Sequence, residues 1–272
     1  MLLFPNAKIN LGLNVVERRT DGYHNIETIF YPIGLSDVLE VTPSETCSDY
    51  SFSSSGIFLP GDPEENLIVK AYRLLRFEYQ IPAVDILLCK QIPLGAGLGG
   101  GSSDAAFMLK ALNELFELKI TKKKLEGLAS KLGADCPVFI RNKAVFASGI
   151  GNIFKPIKLS LKGYYLLLIK PDIHVSTPEA YSLVAPQKPE LSLLESIQMP
   201  VREWREVIKN DFEKSVFTNY PEIEVIKNKI YEMGALYASM SGSGSTVYGI
   251  FETMPEKTDT FDNCFVSGGL LE

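Results

Sequence analysis

The stretch Pro93–Ala106 reads PLGAGLGGGSSDAA, and five of its fourteen residues are glycine: Gly95, Gly97, Gly99, Gly100 and Gly101. It runs straight into the helical pattern SSDAAFMLKALNELFEL, in which Met108, Leu112, Leu115 and Phe116 fall on one stripe. A helix start offers several amide N–H groups without intrahelical partners and the positive end of the macrodipole, so it attracts anions wherever no side chain blocks the approach. Glycine removes those side chains. With Ser102 and Ser103 at the helix mouth, the stretch reads as a cradle for the phosphates of a nucleotide, the serine hydroxyls being able to reach a phosphate oxygen or a phosphate-bound cation. A tight strand-to-helix turn without a ligand would need one or two glycines, not five beside paired serines.

Three familiar glycine loops fit less well. A Walker A loop ends in Gly-Lys-Ser/Thr, whereas the corresponding tail here is Gly-Ser-Ser. Gly95, Gly97 and Gly100 satisfy G-x-G-x-x-G, but a dinucleotide fold expects that pattern in an opening βαβ unit with an acid about 20 residues on, and Glu117 is only loosely placed for it. A protein-kinase loop would bring a lysine strand, a catalytic loop and a metal-binding Asp triplet, and the sequence has none of the usual types.

The bulk numbers agree with a folded protein. At 272 residues the chain is expected to form two lobes, and its 46% hydrophobic and 22% charged content supplies a substantial core. A formal net charge of -6 argues against a nucleic-acid partner, which would want clustered Lys and Arg, but leaves room for one small anionic ligand. Cys47, Cys89, Cys136 and Cys264 are far apart and lack metal-ligand spacing, which fits reduced thiols in a cytosol. The start, MLLFPNAKINLGL, has no signal-peptide pattern, and no apolar run is long enough to span a membrane, so a soluble, untargeted protein with no membrane partner is expected.

Along the chain, AKINLGLNVV (Ala7 to Val16) alternates. Ile9, Leu11, Leu13 and Val15 share one face and Lys8, Asn10, Gly12 and Asn14 the other, which predicts a half-buried strand. DGYHNIETIFYPIGLSDVLEV predicts further antiparallel strands, and SETCSDYSFSSSG a polar strand edge or loop. After Asp62-Pro63, Leu67, Ala71, Leu74 and Leu75 mark a helix, VDILLCKQI a strand, and TKKKLEGLASKLG a helix capped by Thr121 and stopped by Gly133. The glycine- and lysine-rich stretch between Ala147 and Gly163 is the expected change of lobes. Beyond it come a strand from YYLLLIKP, a proline-rich passage, helices near Val201 to Lys209 and Ile223 to Met233, and two apolar strands around a Gly-Ser turn in YASMSGSGSTVYGIF. The tail from Thr253 to Glu272 carries no interpretable signal.

PLGAGLGGGSSDAA resembles the second motif of the GHMP kinases, AKINLGLNV the first and SMSGSGSTVYGIF the third, in the right order and near the right ends of the chain. Five segments, AKINLGLNV, RRTDGYHNIETIF, ENLIVKAYRLL, GLGGGSSDAA and KLGADCPVFI, are similar in particular to a member of that family whose acceptor alcohol carries a cytidine diphosphate. The resemblance spans essentially the whole chain. It implies an α+β, two-lobed GHMP kinase fold. Residues 1–155 would form an N-terminal lobe resembling the ribosomal protein S5 domain 2-like fold, and 156–272 a ferredoxin-like α/β-plait lobe.

The same resemblance implies ATP as co-substrate with Mg2+, a small-molecule acceptor, a cytoplasmic location and a monomer or weak homodimer. Phosphoryl transfer to an alcohol needs the terminal phosphate held, its charge stabilised and the hydroxyl made nucleophilic. The family assigns this to an Asp and a Lys, which match Asp135 after the Gly133 helix stop and Lys8 on the polar strand face. The alternative is an ordinary ion pair at a lobe junction. Tyr23 and Tyr181 would sandwich the cytosine ring while His24 meets its edge, with Thr177 and Asn10 as further polar contacts. Around ATP stand Pro93, Leu94, Gly95, Ala96, Gly97, Leu98, Gly99, Gly100, Gly101, Ser102 and Ser103, with Asn66, Lys90, Gly242 and Gly244. Lys90 reads equally well as a solvated strand end, and Ser103 is the candidate hydroxyl for Mg2+. His174 receives no role. Two other readings stay open: a family member acting on mevalonate or homoserine, against which Gly22-Tyr23-His24 speaks, and a nucleotide-binding protein without turnover, against which Lys8 and Asp135 speak.

Overall fold

The computed structural model describes residues 1–255 and 260–272. Its strands are β1 (Leu2–Leu3), β2 (Asn6–Arg18), β3 (His24–Ser36), β4 (Val38–Pro43), β5 (Tyr50–Gly56), β6 (Val84–Lys90), β7 (Val145–Ser148), β8 (Ile153–Pro156), β9 (Tyr165–Pro171), β10 (Tyr237–Met240), β11 (Val247–Phe251) and β12 (Cys264–Leu270). Its helices are α1 (Leu67–Tyr79), α2 (Gly100–Leu115), α3 (Lys122–Leu132), α4 (Cys136–Arg141), α5 (Thr177–Tyr181), α6 (Leu193–Ser196), α7 (Trp204–Val207), α8 (Phe212–Asn219) and α9 (Pro221–Glu232). Two compact units interleave along the chain. The first holds Met1–Ala7, Leu35–Leu94 and Gly99–Lys143; the second holds Lys8–Gly34, Gly95–Leu98 and Ala144–Glu272.

In the first unit a sheet of order β1-β4-β6-β5 carries α1 to α4. β5 and β6 run parallel, which requires a crossover, and α1 supplies it. Asn66 starts α1 by accepting from the Ile68 N–H at 2.9 Å, and Ile68, Val69, Ala71, Tyr72 and Leu75 then bury one stripe. Ala105, Ala106, Met108, Leu109 and Leu112 of α2 are buried likewise, so the glycine-rich helix mouth sits on a rigid, well-packed rod. β5 is the polar edge strand that its serines predict.

The second unit has two sheets. One has the order β2-β3-β7-β8, and the other, entirely antiparallel, β10-β11-β9-β12. Numbered along the chain the latter runs 2-3-1-4, the order of a ferredoxin-like plait. Leu167, Ile169 and Val247 of that sheet pack with Val216 of α8 and Ile223, Ile226 and Ile230 of α9 in one core. The alternation in Ala7 to Val16 is present, but the expected solvent face is not. Lys8 and Asn10 are each 3% exposed, because other chain segments of the unit cover them.

Candidate active site

Gly99 opens α2 in the left-handed region at φ 71°; no side chain caps the helix and no acidic residue stands in its first turn. The amides of the mouth are therefore left to a ligand, and a negative one is favoured by the dipole. Gly101 is exposed, and a Cβ on it would meet nothing nearer than Leu67 Cδ1 at 3.8 Å. Ser102 is half-buried. Ser103 is fully buried and its Oγ has no hydrogen-bond partner among the described residues. An orphaned hydroxyl oxygen at this place is compatible with a phosphate-bound Mg2+, which keeps most of its ligands from water and phosphate and asks little of the protein. Among the described residues no group of three or more His, Cys, Asp or Glu could hold a metal by itself.

Asp135 belongs to the same unit and occupies the N-cap position of α4, but its side chain makes no cap bond. Its turn lies against the α2 mouth. A Cβ on Gly133 would stand 3.2 Å from Cys136 Sγ and 3.9 Å from Ser102 Oγ. Burial pushes the Cys136 thiol up to about 11, against the Ser102 hydroxyl, so it stays protonated near neutral pH.

Lys8 is in the second unit. Its Nζ donates to Asn10 Oδ1 at 2.6 Å and to the Gly97 carbonyl at 3.0 Å, and lies 5.0 Å from the Phe30 ring centre. Asn10 Nδ2 donates to Thr28 Oγ1, while Ser241 Oγ accepts from the Asn10 backbone N–H at 3.2 Å and donates to the Gly97 carbonyl at 2.8 Å. The first half of the glycine loop, Gly95 to Leu98, is thus held by the first and third motifs. Gly242, at φ 57°, faces it: a Cβ there would be 3.2 Å from Asn10 Oδ1 and 3.5 Å from the Gly97 carbonyl oxygen. Gly244, at φ 92°, is also in the left-handed region.

The aromatic group assembles within the second unit in a different arrangement from the expected sandwich. His24 stacks on Tyr181 itself, centroids 4.6 Å apart and planes 23° from parallel, and Phe212 meets Tyr181 edge-on. Tyr23 is 63% exposed. Thr177 is the exposed first residue of α5, set by a Ser176–Glu179 capping box.

Two residues assigned to ATP are already engaged. The side-chain oxygen of Asn66 is spent in capping α1, so any nucleotide contact would come from its Nδ2 donors. Lys90 is not a solvated strand end: it is 2% exposed, donating to Asp37 Oδ2 at 2.5 Å and Asp104 Oδ2 at 2.7 Å. A lysine closing an apolar strand looks solvated because its acids stand 53 and 14 positions away in the sequence.

Sequence reasoning missed two further residues. His174 packs on the glycine loop, its Nδ1 lying 2.9 Å from where a Gly95 Cβ would be. Asn210, buried, donates from Nδ2 to the carbonyls of Met240 and Gly242 and so fixes the third-motif turn. Neither stands in a motif that would single it out.

These features are those of a family. Residues 66–143 match the GHMP kinases N terminal domain and residues 194–259 the GHMP kinases C terminal domain. The chain belongs to the GHMP kinases, which are ATP-dependent small-molecule kinases. Within the family it is 57% identical to the 4-diphosphocytidyl-2-C-methyl-D-erythritol kinase of Parabacteroides distasonis, covering 100% of both chains. It is 58% identical to the enzyme of that name from Bacteroides fragilis, over 96% of this chain and 94% of the other. A crystal structure of 4-(cytidine 5'-diphospho)-2C-methyl-D-erythritol kinase superposes with a TM-score of 0.82 at 34% identity, over 98% of each chain. The mevalonate kinase of Methanococcus jannaschii, at 14% identity and a TM-score of 0.73, covering 100% of this chain and 98% of its own, shares the fold.

Proposed function

We propose that this kinase transfers the terminal phosphoryl group of ATP to the 2-hydroxyl of 4-diphosphocytidyl-2-C-methyl-D-erythritol, in non-mevalonate isoprenoid precursor synthesis. The observation that carries the reading is the contact between the uncapped mouth of α2 and the turn that bears Asp135, with Ser102 Oγ 3.9 Å from a Gly133 Cβ position. An anion gripped by the mouth would have a carboxylate nearby. We assign residues 1–155 and 156–272 to the two lobes, a cytoplasmic location, and a monomer or weak homodimer as the working form.

The chemistry follows from these groups. The triphosphate tail lies on the amides of Gly99 to Ser103. Asp135 takes the proton of the acceptor hydroxyl, whose oxygen bonds the terminal phosphorus as the bond to the bridging oxygen breaks and ADP leaves with the electron pair. Lys8 steadies the charge on the transferring group. Ser103 is the hydroxyl that would hold a phosphate-bound Mg2+, which would neutralise part of the phosphate charge. Asn10 holds Lys8 in place through the 2.6 Å bond. At the other end of the acceptor, cytosine stacks against the aromatic pair of Tyr23 and Tyr181 and His24 meets its edge, which requires His24 to leave the Tyr181 face it now covers.

One coupled assay tests this. ATP and Mg2+ are offered with the cytidylyl methylerythritol, mevalonate and homoserine in turn while ADP release is followed. Turnover with the first alone is expected. Turnover with either of the others in its place contradicts the acceptor assignment, and binding without turnover contradicts the enzyme assignment.

A further inference from the structure

We propose that Lys90, Asp37 and Asp104 form a buried positioning device for the mouth of α2, in which Lys90 acts on the nucleotide only through Asp104. The inference rests on the nucleotide site proposed above.

The three side chains are 2%, 0% and 3% exposed. Burying charge is costly unless each group is well paired, and an apolar replacement would often pack more stably, so an ammonium with two carboxyl groups needs a reason besides stability. Geometry supplies one. Asp37 Oδ1 accepts from the Gln91 N–H at 2.6 Å and the Ile92 N–H at 2.8 Å, which pins the first two residues after β6. Its Oδ2 accepts from Lys90, and Lys90 reaches on to Asp104 in the second turn of α2. The segment from Gln91 to Gly99 is therefore gripped where it leaves the sheet and again where it enters the helix.

The grip is close. A Cβ on Gly100, the first residue of α2, would come within 2.9 Å of both Lys90 Nζ and Ile92 Cγ2, so the helix start rests directly on the ammonium. Two of the three Lys90 donors are committed to the Asp37 and Asp104 carboxyl groups, and this cation is not available to a phosphate in the way its place in the sequence suggested. Asp104 Oδ1 has no hydrogen-bond partner among the described residues. The Lys90 bond at Oδ2 is thus the tie that removing the carboxylate would cut, leaving the Lys90–Asp37 pair intact.

The test compares Asp104→Ala, which cuts the tie, with Asp104→Asn, which keeps an acceptor in its place; Asp104→Ser, too short to reach Lys90, is carried alongside in case the alanine variant does not fold. In the cut variants the KM for ATP should rise about tenfold, the scale of one modest charge-assisted hydrogen bond, with the KM for the acceptor alcohol within about twofold of wild type. Amide hydrogen exchange over Gly99 to Asp104 should quicken, and Asp104→Asn should restore both properties. Wild-type ATP kinetics and exchange in the cut variants would overturn the inference. So would equal losses in both KM values and kcat together with a lowered melting temperature, the pattern of a merely structural role. A wild-type protein that turned over no ATP would instead overturn the nucleotide reading, and the exchange rates would still decide the positioning role.

Discussion

Gly97 lies against the backbone of Ser241 so closely that a Cβ on it would be 1.9 Å from the Ser241 carbonyl oxygen. Neither backbone can move cheaply, since Ser241 Oγ donates to the Gly97 carbonyl and Lys8 Nζ donates to the same oxygen. Gly97→Ala, which also forces a side chain into φ 73°, should destabilise the protein by about 2 kcal/mol or more in urea unfolding.

Gly101→Ala makes the informative contrast. The fold has room for the added methyl, and alanine favours a helix over glycine by up to ~1 kcal/mol, so stability should hold or rise. The space it fills is the approach to the helix mouth. The KM for ATP should rise about fivefold or more while unfolding is unaffected; unchanged ATP kinetics would place the phosphates elsewhere.

The stack of His24 on Tyr181 predicts a selective phenotype. His24→Ala removes an edge contact for the base, so the KM for the cytidylyl acceptor should rise about tenfold, with a smaller change for ATP. Steady-state kinetics with each substrate varied in turn check this, and equal damage to both would discredit the base-reading role.

Asp104 makes a prediction in pH. Burial raises its carboxyl to about 7, with the Asp37 carboxylate adding to the rise and the Lys90 ammonium, at the end of β6, opposing it. In the unfolded chain the same group titrates near ~4. Between these values the folded protein holds the extra proton, so this group's contribution to stability is complete below about pH 4 and is lost as pH climbs through about 7. Asp104→Asn cannot ionise. Its melting temperature relative to wild type should therefore increase from pH 5 to pH 8, whereas a constant difference would show that Asp104 is ionised throughout.

Much of this was legible in the sequence, where local pattern and global fold agree. The five glycines before an amphipathic stripe, the Thr121 and Gly133 helix limits and the two strands around the Gly242–Gly244 turn are all present. What could not be read depends on distant segments. The polar face of β2 looks solvated until Gly97 and Ser241 are known to cover Lys8 and Asn10. Lys90 looks like a strand end or a phosphate ligand until Asp37 and Asp104 meet it. β12 escapes because CFVSGGL has two glycines and no buried residue, and it is identified by its pairing with β9 at the edge of the sheet. α8 is a helix of eight residues, too short for periodicity to declare, and its packing on α5 and α9 defines it.

The central claim is that an acceptor hydroxyl gives its proton to Asp135 beside phosphates held at the mouth of α2. The most direct measurement is the turnover of Asp135→Asn with saturating ATP, Mg2+ and cytidylyl acceptor. A fall in kcat of about 10²-fold or more with a nearly unchanged KM for ATP is expected, since loss of a general base commonly costs 10²–10⁴. A loss of less than about tenfold would contradict the claim.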